Sequence, residues 1–375
     1  MPGAFELNPT FSFTLLGAFA IYAWTRPSRS ACLAVVLLAV GLRAACVRWI
    51  GGLGAYYGVR WVSWGAFLGI ASLTVLAVEV MRVRPPQRQS LRKTFHAAAV
   101  FPLCSLLIGY TIPLTTWLRP QTYDAYLLAF DGRLGFQPSY ALGRLLLGGS
   151  TLWGLTTVAY YALPLAPGVL YASYRRRERQ PVAILAMFLS LMVVGFAQYG
   201  VFPAVGPKYA FGQSYPLYPP VLAQIAIHPM NVPNAPRNCM PSLHLAAVLA
   251  VWWNSRIWPR WGRLLVLLFL LATIFSTLAL GEHYLVDLVV AVPFTLVFQA
   301  AWTTGVDYTN PARRRALCVG IVLTAAWFLA LRYSLPVLLI SPVIVWGSIL
   351  LTVCWCVTLE EKLRAAMRAS EALPS

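Results

Sequence analysis

Long unbroken apolar runs, separated by short polar, basic or proline-rich stretches, dominate the pattern of this chain. They occupy 11–24, 30–47, 61–80, 97–118, 151–174, 182–202, 242–254, 264–281, 285–303, 317–333 and 336–358. A helix needs roughly 17–25 apolar residues to cross the hydrocarbon core of a bilayer, and most of these runs qualify. Two of them, 11–24 and 242–254, are short, so the pattern predicts about 10–11 transmembrane helices. The runs are continuous rather than alternating, which points to helices and away from a barrel. The expected fold is all-α, a polytopic membrane helical bundle.

Composition sharpens this picture. With 59% hydrophobic and 11% charged residues, the chain does not have the balance of a soluble globule. Its net charge of +18 could mark a nucleic-acid partner, but the arginines cluster between apolar runs. Four such groups are Arg82, Arg84, Arg88, Arg92 and Lys93; Arg175, Arg176, Arg177 and Arg179; Arg256, Arg260 and Arg263; and Arg313, Arg314 and Arg315. Placing all four in the cytoplasm satisfies the positive-inside rule, with an uncleaved first span, the N-terminus outside and the C-terminus inside. The longer segments 119–150 and 203–241 then fall outside. No nucleic-acid partner is expected; the basic loops suit anionic lipid. The seven cysteines show no disulfide or zinc spacing and read as small apolar residues.

Candidate chemistry is concentrated in two segments, Asn238-Cys239-Met240-Pro241-Ser242-Leu243-His244 and Gly281-Glu282-His283-Tyr284-Leu285-Val286-Asp287. Both sit at the ends of apolar runs, and they hold two of the four histidines. Pro241 suits the first position of a helix, whose free N–H groups would face the outer segment as an anion site. His283 and Asp287 are four apart, so at the start of a helix they share a face. The carboxylate can accept the Nδ1 proton, fix the tautomer and leave Nε2 as nucleophile or base. His244 can supply a proton across the cleft, and Lys208 and Arg237 can hold phosphate charge. Each residue alone has a blander reading: a structural interface histidine, a helix–helix polar clamp, snorkelling cations, or a metal site of two histidines and Asp287. An acid inside an apolar run is nonetheless costly and usually functional.

Pro241-Ser242-Leu243-His244, followed by Ser276-Thr277 through His283 and Asp287, resembles the second and third motifs of the type 2 phosphatidic acid phosphatase superfamily. The Met-Pro-Ser-Leu-His and His-Tyr-x-Val-Asp forms are closest to its inositol phosphorylceramide synthase-like branch, and Tyr123-Asp124 through Asp131-Gly132-Arg133-Leu134-Gly135-Phe136 has the same look. The resemblance implies a six-helix catalytic core at 94–303, added helices at 1–93, and further helices with a charged tail at 304–375. It implies phosphoryl transfer through a phosphohistidine, with His244, His283 and Asp287 catalytic and Lys208, Arg237 and Ser242 binding phosphate. No metal or cofactor is implied. The partners would be a membrane phospholipid donor and a lipid alcohol or water as acceptor. Two arginines of the superfamily pattern are replaced, one by Thr277 and one by Tyr215 in Lys208-x₆-Tyr215-Pro216. That loss favours a singly charged phosphodiester over a monoester. The expected activity is transfer of a phosphorylated headgroup, with inositol phosphate the candidate, at the extracytoplasmic face of a bacterial inner membrane. A lipid or polyprenyl phosphate phosphatase is the alternative, and a transporter using a His/Asp relay a third reading.

Overall fold

In a computed structural model of the chain, residues 9–50, 63–175, 180–221 and 226–371 are described. Arg176, Arg177 and Arg179, assigned to a cytoplasmic loop, lie outside the described residues. The helices in chain order are α1 (Pro9–Ala23), α2 (Arg29–Ile50), α3 (Ser63–Arg82), α4 (Gln87–Leu118), α5 (Asp124–Gly132), α6 (Pro138–Leu145), α7 (Ser150–Tyr161), α8 (Leu165–Tyr174), α9 (Ile184–Val201), α10 (Pro207–Ala210), α11 (Leu243–Asn254), α12 (Arg260–Ala279), α13 (Leu285–Ala301), α14 (Pro311–Tyr333), α15 (Leu335–Leu338) and α16 (Pro342–Glu371). A two-residue antiparallel pairing joins β1 (Gln121–Thr122) to β2 (Met230–Asn231).

The all-α expectation holds. The helix count changes: among the described residues seven helices are long and apolar enough to span a membrane, eight if α7 and α8 count together. The run 151–174 is two helices, interrupted at 162–164 beside Pro164. Helix α13, with 17 residues, is about 25 Å long, shorter than the roughly 30 Å hydrocarbon core. Several helices also outlast their apolar runs. Arg88, Arg92 and Lys93 lie on the first turns of α4, Arg313–Arg315 on the first turn of α14, and the charged tail continues α16 to Glu371. Asn310 caps α14, its side chain accepting from Ala312 N–H at 2.9 Å.

Two compact units divide the chain, Met1–Gly109 with Tyr161–Glu178, and Tyr110–Tyr160 with Arg179–Ser375. In the first, α1 packs on α3 and α8, and α3 on α2. Gly69 lets α3 approach closely, because a Cβ there would lie 2.3 Å from the Leu15 carbonyl oxygen. Tyr22, Val35, Ala39, Phe67, Ala71 and Leu76 form its core.

The second unit is organised around α13, which packs against α5, α9, α11, α14 and α16 and is buried without interruption from Val286 to Leu296. Helices of the rim keep an apolar outer stripe: on α12, Leu264, Leu265, Leu268 and Leu271 are exposed while Val266, Leu270 and Thr273 face inward. An exposed apolar stripe of this length matches a lipid-facing surface. The surrounded α13 and short α11 therefore lie inside the bundle, and the turns at their N-termini carry the two histidine segments.

Candidate active site

Ser242 is the N-cap of α11, in an extended conformation, and its hydroxyl accepts from Leu245 N–H at 3.3 Å. Its own N–H donates to the Asp287 carbonyl at 3.2 Å, tying the two segments together. The helix therefore starts at Leu243, two residues later than the expected start at Pro241. His244 lies on the first turn, partly exposed. Ser242, expected at the phosphate, is fully buried with its hydroxyl occupied as a cap.

The second segment is a turn rather than a helix as far as Tyr284. Glu282 N–H and His283 N–H both donate to the Thr277 carbonyl, at 3.2 and 3.1 Å, and Ser139 Oγ donates to the His283 carbonyl at 2.8 Å. Asp287 then reaches back across the first turn of α13, where its Oδ2 accepts from Tyr284 N–H at 2.7 Å. His283 Nδ1 stands 3.5 Å from the same oxygen, with both side chains buried. Neither His283 Nδ1 nor Asp287 Oδ1 has a hydrogen-bond partner among the described residues, so a small ring rotation would complete the His–Asp bond. The His244 and His283 rings face each other at 5.9 Å between centroids and 64° between planes.

A third wall comes from residues 205–209. Gly206 (φ +91°) and Gly281 (φ +69°) adopt a conformation costly for other residues. A Cβ on Gly206 would also lie 2.5 Å from the Glu282 carbonyl oxygen, so glycine is needed for the two turns to touch. Lys208 N–H donates to the Gly281 carbonyl at 3.1 Å. The Lys208 ammonium is 3.7 Å from Glu282 Oε1, which also accepts from the Tyr209 hydroxyl at 3.2 Å. Burial pushes the Glu282 carboxyl up, and Lys208 opposes that shift. Tyr215 puts its hydroxyl 2.7 Å from the Ala279 carbonyl oxygen at the end of α12.

Arg237 requires a correction. It was expected at the phosphate, but it is fully buried and its guanidinium is consumed by backbone: Nε donates to Arg119 at 2.7 Å, Nη2 to Pro120 at 2.7 Å, and Nη1 to the Ala235 carbonyl. With its donors turned to main-chain oxygens, it braces the segment after α4 against the approach to α11.

Other contributing residues carried no assigned role in the sequence. Asp131 Oδ2 and Oδ1 accept from Leu285 N–H at 2.6 Å and Val286 N–H at 3.2 Å, capping α13 from α5. Asp124, seven residues earlier on α5, accepts from Gly206 N–H and the Tyr284 hydroxyl, each at 3.0 Å. Burial pushes Asp131 up to about 8 and Asp124 to about 6, against the donors that favour their charged forms. Two acids among apolar residues in 124–132 were the available signal. Cys239, read as apolar filler, places Sγ 2.7 Å from Asp287 Oδ2. Tyr160 stacks on His244 at 3.9 Å.

Cys239, His283 and Asp287 bring sulfur, nitrogen and oxygen within 4.8 Å of one another, a donor set that differs from the two histidines and Asp287 weighed from sequence. Burial beside Asp287 pushes the Cys239 thiol well up, which works against the thiolate a metal needs.

These features define a helical membrane protein with a pair of opposed histidines, one of them buried and backed by a carboxylate. The model of the PAP2 superfamily, whose members are generally phosphatases, matches residues 125–301, from α5 to the end of α13. Comparison with curated proteins and with solved structures finds no match.

Proposed function

We propose that this chain is a phosphotransferase that moves a phosphorylated headgroup between membrane lipids, with inositol phosphate as the candidate group. The observation that carries the reading is the opposed pair His244 and His283, 5.9 Å apart, with Asp287 behind His283. His283 Nε2 attacks phosphorus, and Asp287 holds the imidazole tautomer and stabilises the charge that develops. His244 gives its proton to the departing alcohol oxygen, then takes one from the incoming acceptor. The P–O bond to the leaving alcohol breaks as the P–N bond forms, and the second half-reaction reverses that exchange with the new alcohol.

Charge supports a phosphodiester substrate. Lys208 is shared with Glu282, Arg237 is bound to carbonyls, and Thr277 and Tyr215 stand in place of arginines. A dianionic monoester needs more compensating charge than this site offers, whereas a monoanionic diester needs less. The arginine clusters favour a site on the extracytoplasmic face of a bacterial inner membrane. The donor is then a phospholipid, and the acceptor a lipid alcohol.

Purified wild type and His283→Ala, each incubated with a mixed lipid extract and EDTA, test the reading by lipid mass spectrometry. A new phospholipid made only by the wild type supports a transferase that works without an exchangeable metal. Release of free phosphate or headgroup phosphate, with no new lipid, would make water the acceptor and the protein a hydrolase. Identical lipid profiles from both proteins would refute the phosphohistidine.

A further inference from the structure

We infer that Tyr160 is the positioning residue of the proton donor His244. The inference deepens the reading above and rests on His244 being the acid. Tyr160 lies at the end of α7, 84 positions before the histidine in sequence, and only 6% of it is exposed. Its ring lies 3.9 Å from that of His244 with the planes inclined by 21°, a face-to-face stack. His283 approaches the same imidazole at 64° and 5.9 Å.

Two consequences follow from this geometry. A histidine on the first turn of a helix has free rotation about its side-chain bonds unless something packs on its ring. The flat Tyr160 surface restricts tilting of the imidazole and keeps its edge, with both nitrogens, in a plane within 21° of the tyrosine ring. The negative π-face attracts the imidazolium more than the neutral ring, and so opposes the burial and the neighbouring His283 that push the His244 imidazole down to about 3. The proton passes from His244 to the alcohol oxygen as the P–O bond breaks, and Tyr160 itself neither gains nor loses one.

A residue that merely fills the core would affect all substrates alike. A residue that aims the acid affects only those whose leaving group needs a proton. The test compares phosphatidylinositol, whose alkoxide leaving group needs protonation, with 4-nitrophenyl myo-inositol phosphate, whose phenolate leaves unaided. Tyr160→Leu is expected to lower the donor's kcat/KM, which reports formation of the shared phosphoenzyme, about tenfold on the lipid and less than about twofold on the nitrophenyl ester. Tyr160→Phe, which keeps the ring, is expected to stay within about twofold on both. An equal loss on both donors with Tyr160→Leu, or a Tyr160→Phe variant as impaired as Tyr160→Leu, overturns the inference. His244→Ala separates the two levels: if its own loss does not depend on the leaving group, the acid assignment fails, and with it the reading on which the inference rests.

Discussion

The Cys239 thiol contacts Asp287 Oδ2 at 2.7 Å, on the carboxylate oxygen that also stands 3.5 Å from His283 Nδ1. One oxygen thus receives the thiol, the Tyr284 N–H and, after a small rotation, the imidazole. The thiol and the imidazole converge on that oxygen, with the sulfur, nitrogen and oxygen all within 4.8 Å of one another.

Losing a hydrogen bond to a charged group costs about 1.5–3 kcal/mol where the partner is left buried. Cys239→Ala is therefore expected to lower kcat by roughly 10-fold with KM unchanged, and Cys239→Ser, which still donates, to stay near wild type. Steady-state kinetics in detergent micelles checks this; a silent Cys239→Ala would assign the thiol to packing alone.

Asp287→Asn keeps the shape of the site but replaces the acceptor that sets the His283 tautomer. In hydrolytic triads the equivalent change costs about 10⁴ in kcat, and a loss of 10²–10⁴ is expected here. Trapping the phosphoenzyme from a ³²P-labelled donor should show less acid-labile label in Asp287→Asn and none in His283→Ala. Undiminished label in Asp287→Asn would remove the carboxylate from the mechanism.

Arg237 separates architecture from phosphate binding. As a brace on three carbonyls with no exposed surface, its removal leaves buried acceptors unpaired and a cavity behind, at a cost of about 3–5 kcal/mol. Arg237→Met should lower the unfolding temperature markedly while the surviving folded protein keeps its KM. A normal melting temperature with a strongly raised KM would return Arg237 to the phosphate.

The two acids of α5 set a pH dependence of stability. An unfolded aspartate titrates near 3.9, while folded Asp131 is held up to about 8 by burial, then by the nearby Asp287 charge, so the folded protein keeps a proton the unfolded chain has lost. The resulting stabilisation is complete below about pH 4 and disappears as pH rises through 8. Asp124, at about 6, acts in the same direction over a lower window. Thermal unfolding followed from pH 5 to 8.5 should show a falling transition temperature, and Asp131→Asn should flatten its upper half. A rising profile would show that the backbone donors at Leu285 and Val286 outweigh burial.

How much of this was legible in the chain differs by residue. Apolar run length and continuity already determined a helical membrane protein, since in lipid each backbone group must be satisfied within its own helix. The positions of His244, His283 and Asp287 were legible too, because spacing within one turn or one helix entry is a local property. Tertiary structure decided everything that depends on a partner far along the chain. Arg237 reads as a free cation until the carbonyls of Arg119 and Pro120, more than a hundred residues earlier, fold onto it. Cys239 reads as filler until Asp287 arrives, and Asp131 as a loop acid until the start of α13 docks. Helix α13 passes as a membrane span in sequence, and only its neighbours on every side turn it into a buried strut. Apolarity reports that a segment avoids water; whether lipid or protein replaces the water is settled by packing alone.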